Sequence, residues 1–495
     1  MFKRNKWLLI AALATVLFLG GYTLFIDNSF VAPGDATYPT ISEEEAIEIV
    51  AERIHDERGV EIDPAEMVAE LFVNVDAERF LADHQLTDEY AAISSTPPIS
   101  MWKVSYFDWE ANLETVYFVD LFHGDIVGFL DGSYYNEQTQ VEAASDEAIA
   151  STWLQQQGWA EEFTHTATET NSDGIMMHHF VSDQPVVGDT PLLLKVYTLD
   201  GWFVGFYPKL DIPQSYETDP LINGLSLSIS FAGSLGYMGI VFIIGLIYWA
   251  MRATDKSLTV TVPLLAGIVV LILGILLMTN IIGLLEGLMS GLLVFMAMLT
   301  VYSKRDQLGN RSKKRLNNLR EKVIQGYSLG IIMFLLSSIF YLIAENVFGA
   351  WGSEQDSFLL LKDAQWIILT PFIVGLYAAV TEEIMYRKFG EFVLRRIWKN
   401  QLFIALATSF IWSLGHLGYT VHPWYLRVVE LTLVIGPFLY WIYKKYGVSA
   451  AIVTHYLFNC FLVSLTLISF DADRYVYSLL FLLVPLIIFV IPAKQ

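Results

Sequence analysis

The sequence predicts a mainly α-helical membrane protein, a polytopic transmembrane bundle of about ten spans with an α+β extracytoplasmic domain between the first and second spans. Of its 495 residues, 54% are hydrophobic. A span needs about 20 apolar residues, and segments of that kind recur along the chain. They lie at residues 7–26, 230–251, 258–278, 283–302, 324–345, 366–386, 401–419, 424–443, 447–469 and 476–492.

The first of these segments is predicted to be an uncleaved N-terminal anchor, residues 1–26. Lys3, Arg4 and Lys6 precede the apolar run from Trp7 to Phe25. This run is long enough to span a bilayer, whereas the core of a signal peptide is shorter. Because basic residues favour the cytoplasmic side, we expect the N-terminus to be cytoplasmic.

Residues 27–222 are predicted to form an acidic extracytoplasmic domain. Between Asp27 and Pro220 there are 38 acidic and six basic residues, a net charge of −32. Such a charge repels nucleic acid and anionic lipid, so we expect neither as a partner. A role in binding an extracellular ligand is the expectation for this domain.

Within this domain, one order of patterns occurs twice and predicts two degenerate helix-plus-sheet units. Each unit begins with helical periodicity and continues with alternating, strand-like segments. The segments resemble, loosely, the small PepSY-type modules of bacterial surface proteins. They are Ser42–Arg58 and Met101–Gly132 in the first unit, and Ser145–Gly158 and Pro191–Pro208 in the second.

The charges in the rest of the chain predict its topology. Residues 223–345 are expected to hold transmembrane helices with a basic cytoplasmic loop at 303–322, which carries eight Lys or Arg residues. Residues 346–495 are expected to form a second membrane domain. Smaller basic clusters follow the sixth and eighth spans, on the same side as the loop. The positive-inside rule then puts both termini in the cytoplasm of a multi-pass cell-membrane protein.

One apolar run carries charges where lipid would reject them. Glu382, Glu383 and Arg387 lie in the segment AAVTEEIMYRK, at the end of a run that begins near Trp366. Intramembrane ionisable residues are costly and indicate function. Helical spacing predicts that Glu383 pairs with Arg387 one turn later, while Glu382 points about 100° away and is available.

Polar side chains occur in two later spans as well. His416 lies in FIWSLGHLGY and His455 in AIVTHYLFNC, with Asn459 one turn after His455. Such groups need partners inside a membrane and can supply one another. Glu430 is a further acid, either lining a cavity or lying at the interface.

Together these residues favour hydrolysis. A carboxylate in an apolar surround is a stronger base toward water than an exposed one, which suits Glu382. His416 could hold the same water or shuttle its proton. His455 and Asn459 could donate hydrogen bonds to the oxygen that becomes negative when water adds to a peptide carbonyl. No serine or cysteine nucleophile is needed.

The depths of these residues limit how they can meet. At about 1.5 Å per residue from the basic ends of the spans, Glu382 lies about 7 Å deep, His455 about 15 Å, Asn459 about 20 Å and His416 about 22 Å. These depths do not share a plane. A tilted helix that continues past residue 386 would bring them together.

Three motifs carry a resemblance to a known family. Glu382-Glu383-xxx-Arg387 matches EExxxR, Trp412-xxx-His416 matches FxxxH with Trp in place of Phe, and His455-xxx-Asn459 matches HxxxN. Their order and spacing resemble the CPBP family, which comprises the CAAX proteases and the bacteriocin-processing or Abi proteins. The resemblance covers about 100 residues, 366–465, and not the acidic domain.

This resemblance implies an intramembrane glutamic endopeptidase in a bacterial plasma membrane, acting on a membrane protein or peptide. It implies that Glu382 with His416 activates water and that His455 and Asn459 form an oxyanion hole. Glu383, Arg387 and Trp412 would be supporting residues. Trp412 would keep the aromatic packing role of the phenylalanine.

Two alternatives stay open. Glu382, His416 and His455 could hold Zn²⁺ with a water position free, although the chain has no HExxH helix and a metal-free route without cofactor is favoured. The single cysteine, Cys460, allows neither an internal disulfide nor a thiolate cage. A non-catalytic sensor or scaffold, with a ligand-binding acidic domain and structural polar spans, is the alternative from another class.

Overall fold

The computed structural model forms two compact units, Pro33–Thr218 and a membrane unit of Met1–Ala32 with Asp219–Gln495. Most of the predicted N-terminal anchor and part of the basic loop lie outside the residues that the structure describes. Those described residues are 5–13, 15, 41–59, 61–91, 93, 98–108, 113–121, 123–131, 145–171, 174–216, 220–254, 260–277, 281–302, 312–353, 367–470 and 472–490.

Over its described residues, the first unit is an eight-stranded antiparallel sheet with four α-helices. Its helices are α1 (Glu43–Arg58), α2 (Val75–Asp83), α3 (Thr87–Ala91) and α4 (Asp146–Gln156). Its strands are β1 (Val68–Val73), β2 (Ser100–Asp108), β3 (Leu113–Asp120), β4 (Ile126–Leu130), β5 (Phe163–Thr170), β6 (Met176–Val187), β7 (Thr190–Leu199) and β8 (Trp202–Leu210).

The sheet consists of two halves of four strands, and each half begins with a helix; in the first half, α2 and α3 lie between β1 and β2. The strand order β1-β2-β3-β4-β8-β7-β6-β5 joins the halves through β4 and β8, where Phe129 pairs with Phe206 and Leu130 with Gly205. A Cβ atom at Gly205 would lie 2.0 Å from the Phe129 carbonyl oxygen, and its φ is +155°. Only glycine permits this close approach of the two strands.

The first helix of this unit shows why the predicted helix begins and ends where it does. The Ser42 hydroxyl accepts from the Glu45 backbone N–H, and the Glu45 carboxylate accepts from the Ser42 backbone N–H. This reciprocal cap satisfies two otherwise unpaired donors. Gly59 ends the helix in the left-handed conformation, at φ +65°.

In the residues that the structure describes, the membrane unit is mainly helical and contains one two-stranded ladder. Its α-helices there are α5 (Pro220–Thr254), α6 (Thr261–Leu277), α7 (Ile281–Val301), α8 (Ser312–Phe348), α9 (Thr370–Glu382), α10 (Gly390–Leu394), α11 (Gln401–Leu414), α12 (Leu426–Glu430), α13 (Gly436–Tyr446), α14 (Val448–Phe470) and α15 (Ala472–Tyr475). It also contains two π-helical segments (Glu383–Phe389 and Leu431–Ile435), two 3₁₀ segments (Ile367–Leu369 and Val476–Phe489), and the strands β9 (Trp351–Gly352) and β10 (Val421–His422).

Six helices in the described residues are long and apolar enough to cross a membrane, so the chain is a multi-pass membrane protein. They are Gly224–Thr254, Leu284–Val301, Leu316–Phe348, Ile367–Leu394, Leu426–Tyr446 and Val448–Ile468. Three shorter apolar helices correspond to the predicted third, seventh and tenth spans. The count of ten spans and their topology stay predictions.

The predicted end of the sixth span, at residue 386, is too early. The helix runs without a break through the π-helical segment to Leu394. Glu382 is therefore near the middle of this span instead of close to its end. Arg387 and Lys388, from which the depth of Glu382 was counted, do not end the helix.

Close packing of α9 on α14 positions the polar residues of the candidate site. A Cβ atom at Gly375 of α9 would lie 3.1 Å from the Tyr456 carbonyl oxygen and 3.2 Å from the Cys460 Cβ atom. Small residues allow two helix backbones to approach in this way. The next two turns of α9 therefore bring Glu382 and Glu383 against His455.

Candidate active site

The two adjacent glutamates, Glu382 at the end of α9 and Glu383 at the start of the π-helical segment, have different surroundings. Glu383 and Arg387 are both fully buried, and the Glu383 Oε1 atom lies 3.5 Å from an Arg387 guanidinium nitrogen. This is the pairing that helical spacing predicts. The Glu382 side chain is 21% exposed, so of the two acids it is the accessible one.

His455 of α14 lies between these two carboxylates. Its Nδ1 atom is 2.9 Å from Glu383 Oε1, and its Nε2 atom is 3.7 Å from Glu382 Oε2. A carboxylate only accepts, so Nδ1 carries the proton and donates to Glu383. The buried acid thereby fixes the orientation of the imidazole, and the second ring nitrogen faces the accessible acid.

Trp412 of α11 contacts the same carboxylate from a third helix. Its indole N–H donates to Glu382 Oε2 at 2.6 Å. The guanidinium carbon of Arg387 lies 4.0 Å from the centre of the indole, a cation–π contact. Trp412 therefore packs against Arg387. It also donates a hydrogen bond to Glu382, which the comparison with Phe did not predict.

His416 is one turn further along the chain, in the turn after α11 ends at Leu414 and not inside the helix. Its Nδ1 atom donates to the Trp412 carbonyl oxygen at 3.2 Å, so Nε2 is the acceptor in the neutral ring. Its ring meets the Trp412 ring edge-on at 5.3 Å. Neither nitrogen forms an ion pair within 4.0 Å of a carboxylate in the described part of the chain.

Asn459 is held less firmly than the other predicted catalytic residues. It follows His455 by one turn of α14 and is half-buried. Its side chain makes no hydrogen bond to any of the residues that the structure describes. The structure therefore brings Glu382, Glu383, Arg387, Trp412 and His455 into direct contact, with His416 adjacent to Trp412.

The zinc alternative lacks a donor set in the described ranges. No group of three or more His, Cys, Asp or Glu side chains there is arranged to hold a metal ion. Glu383 lies on the Nδ1 side of His455, and the Nε2 side faces Glu382. The predicted ligands Glu382, His416 and His455 do not form such a group there.

A second buried polar cluster, formed around Glu430, lies beside the candidate site. Of its residues, the sequence indicated only Glu430. Glu430 is buried and accepts hydrogen bonds from Ser337 at 2.9 Å, Tyr341 at 2.6 Å and Arg427 at 2.9 Å. Arg427 was missed, although its position three residues before Glu430 was a signal of pairing. Its guanidinium lies 5.4 Å from the centre of the Tyr419 ring.

Tyr419 links this cluster to the site. Its ring is parallel to that of His416, with an angle of 7° between the planes and 5.6 Å between the centres. His416 is therefore held between Trp412 on one side and Tyr419 on the other. Both contacts restrict the orientation of its imidazole.

Residues 364–461 match the model of one protein family, described as type II CAAX prenyl endopeptidase Rce1-like. This region is similar to Rce1-like endopeptidase domains, which is consistent with the CPBP family. The match includes all seven predicted site residues and agrees with the resemblance found in the sequence. No curated protein and no solved structure matches the chain.

The CPBP domain supports a general activity, that of an intramembrane endopeptidase. Its three motifs come from α9, α11 and α14, so the site forms only when these helices pack together. The family match does not extend to the sheet unit or to helices α5 to α8.

Proposed function

We propose that this protein is a metal-free intramembrane glutamic endopeptidase that cleaves a membrane protein or peptide. The observation that carries the proposal is the convergence of Trp412 and His455 on the partly exposed carboxylate of Glu382. Three helices supply these groups, and the surrounding acid and base, Glu383 and Arg387, are neutralised by each other. Such preorganised polar groups in a dry surround are effective catalysts.

In the proposed reaction, Glu382 takes a proton from a water molecule while the water oxygen bonds to the carbonyl carbon of the substrate. The carbonyl oxygen becomes negative and accepts hydrogen bonds from His455 and Asn459. Collapse of this intermediate breaks the carbon–nitrogen bond, and the proton passes from Glu382 to the leaving amine. His416 orients the water through its Nε2 atom, across the gap that separates it from Glu382.

His455 suits the oxyanion role when both of its nitrogens carry protons. Nδ1 then donates to Glu383, and Nε2 has a proton for the substrate oxygen. Glu383 and Arg387 are supporting residues in this proposal because their buried pair holds the histidine.

For the whole chain, we propose four segments: the anchor at 1–26, the extracytoplasmic domain at 27–222, membrane helices at 223–345 and the catalytic domain at 346–495. The sheet unit would bind an extracellular ligand. Both termini would be cytoplasmic, in a bacterial plasma membrane. The charge distribution supports this arrangement.

A comparison of membrane proteomes tests the activity in the cell. Cells with Glu382→Ala should accumulate a full-length precursor that wild-type cells process, and purified protein should cleave that precursor. A general base contributes about 10²- to 10⁴-fold to a rate, so Glu382→Gln should lose about that much. Glu345→Gln, on α8 and outside the site, should retain activity as the matched control.

Two results would contradict the proposal. Full processing of every substrate by Glu382→Gln would favour a sensor or scaffold, particularly if deletion of residues 27–222 abolished the phenotype. Loss of peptidase activity with a chelator, followed by rescue with zinc, would favour a zinc enzyme instead.

A further inference from the structure

Trp412 brings a chemical group that the family pattern does not have. The motif FxxxH has a phenylalanine at this position, which has no polar atom. The indole of Trp412 has one N–H, which only donates, and it is 2.6 Å from Glu382 Oε2. A hydrogen bond this short to a carboxylate is of the charge-assisted kind.

Contacts at the face and at the edges of the Trp412 indole hold it in one orientation. Trp412 is only 3% exposed. The Arg387 guanidinium lies over its face, and the His455 and His416 rings meet it at centre distances of 5.8 Å and 5.3 Å. The direction of its N–H is therefore set by packing, and this direction is toward Glu382.

The two oxygens of the Glu382 carboxylate are consequently unequal. Oε2 accepts from Trp412 and faces Nε2 of His455 at 3.7 Å. Oε1 accepts no hydrogen bond from the residues that the structure describes. Oε2 is hydrogen-bonded to the protein, and Oε1 is available to a molecule that enters the site.

We infer that Trp412 is a positioning residue that holds Glu382 by Oε2, so that Oε1 is the atom that takes the proton from the attacking water. This inference rests on the proposed peptidase function. The hydrogen bond restricts the rotation of the carboxylate about its terminal bond, which is otherwise broad.

The sharpest test removes the N–H and keeps the ring. Site-specific replacement of Trp412 by β-(3-benzothienyl)alanine puts sulfur where the indole has N–H and leaves shape and packing nearly unchanged. We expect kcat on the cleaved precursor to fall by about tenfold to a hundredfold, the usual effect of losing a hydrogen bond to a charged group, with KM unchanged. Incorporation of tryptophan at the same codon is the matched control.

A second measurement does not depend on activity. In protein labelled with ¹⁵N at the indole nitrogens, the resonance that is missing in Trp412→Phe belongs to Trp412. We expect this resonance to move when Glu382 is replaced by Gln, because a neutral acceptor is weaker than a carboxylate.

The outcomes separate the inference from the function on which it rests. Unchanged kcat in the benzothienylalanine protein would overturn the positioning role while the peptidase stands. An indole resonance that does not respond to Glu382→Gln would overturn the hydrogen bond itself. If wild-type protein cleaves no peptide, the proposed function fails, and with it the positioning role of Trp412 in that reaction, whatever the resonance shows.

Discussion

At the scale of single residues, a buried charge pair lies beside Glu382 and His455. Glu383 and Arg387 are both buried, and Glu383 accepts from His455 as well. Removing one partner of such a pair leaves a charge in an apolar surround without compensation. That cost exceeds the attraction that the pair itself contributes.

We therefore predict that Glu383→Ala destabilises the membrane unit by about 3–5 kcal/mol, because Arg387 is left buried and unpaired. Thermal unfolding in detergent micelles measures this change. The double variant Glu383→Gln with Arg387→Met, which leaves neither charge, should be more stable than Glu383→Ala. A single variant as stable as the wild type would contradict the prediction.

A second residue-scale prediction concerns pH and the sheet unit. His178 is fully buried in β6, and its two ring nitrogens lie 3.1 Å and 3.0 Å from the hydroxyls of Thr168 and Thr198. Burial lowers the pKa of His178 below its usual 6.5, and the neighbouring His165 lowers it further, while Asp146 and Glu147 act in the opposite direction.

A histidine with a lowered pKa binds fewer protons in the folded state than in the unfolded state. Its contribution to stability is therefore complete above the unfolded value of about 6.5 and is lost as the pH falls below it. We expect hydrogen exchange of β6, corrected for intrinsic rates, to accelerate as the pH falls from about 7 to 5. His178→Gln should flatten this dependence, and the exposed control His123→Gln should not.

At the scale of elements, one helix contact sets the distance between the acids and His455. Gly375 lies where α9 meets α14, and a Cβ atom there would be tighter than ordinary packing allows. A larger side chain would separate the helices. Glu382 and His455, which lie further along them, would then move apart.

We predict that Gly375→Val lowers peptidase activity on the order of a hundredfold, because a displacement of about 1 Å in a catalytic group has an effect of that size. Rate measurements on purified protein test this. Gly239→Val is the matched control, since a Cβ atom at this position of α5 meets nothing within 4 Å. Equal losses in both variants would show that the α9–α14 contact has no special role.

Contacts within one helix could be predicted from the sequence, and contacts between distant segments could not. The spacing of Glu383 and Arg387 was sufficient to predict their pairing, because both are on one helix. The contact between Trp412 and Glu382 joins residues 30 positions apart, and no local pattern contains that information. The predicted helix end at 386 was wrong because Arg387, the first charge after it, is buried and paired with Glu383 inside the continuing helix. The single sheet likewise depends on β4 pairing with β8, far along the chain.

At the scale of the whole molecule, the uneven distribution of charge is the main feature. The segment Asp27–Pro220 has a net charge of −32 in a chain whose total is −22. The basic residues concentrate near the ends of helices in the membrane unit. Topology should follow this distribution.

We predict that position 151 in α4 and position 317 in α8 lie on opposite sides of the membrane. Cys460 is the only cysteine and is buried, so a Cys460→Ser background gives a clean test. In intact cells, an impermeant maleimide should label Ser151→Cys and should label Asn317→Cys only after permeabilisation. The reverse pattern would contradict the predicted topology.

The π-helical segment from Glu383 to Phe389 has a consequence for the length of the chain. Such a segment contains a surplus residue relative to an α-helix, in which each residue turns by about 100°. Loss of any one amino acid from this stretch would let ordinary winding resume. It would rotate the preceding turns, with Glu382 on them, away from Trp412 and His455. Deletion scanning, more than substitution, should therefore reveal how strictly the count of residues here is constrained.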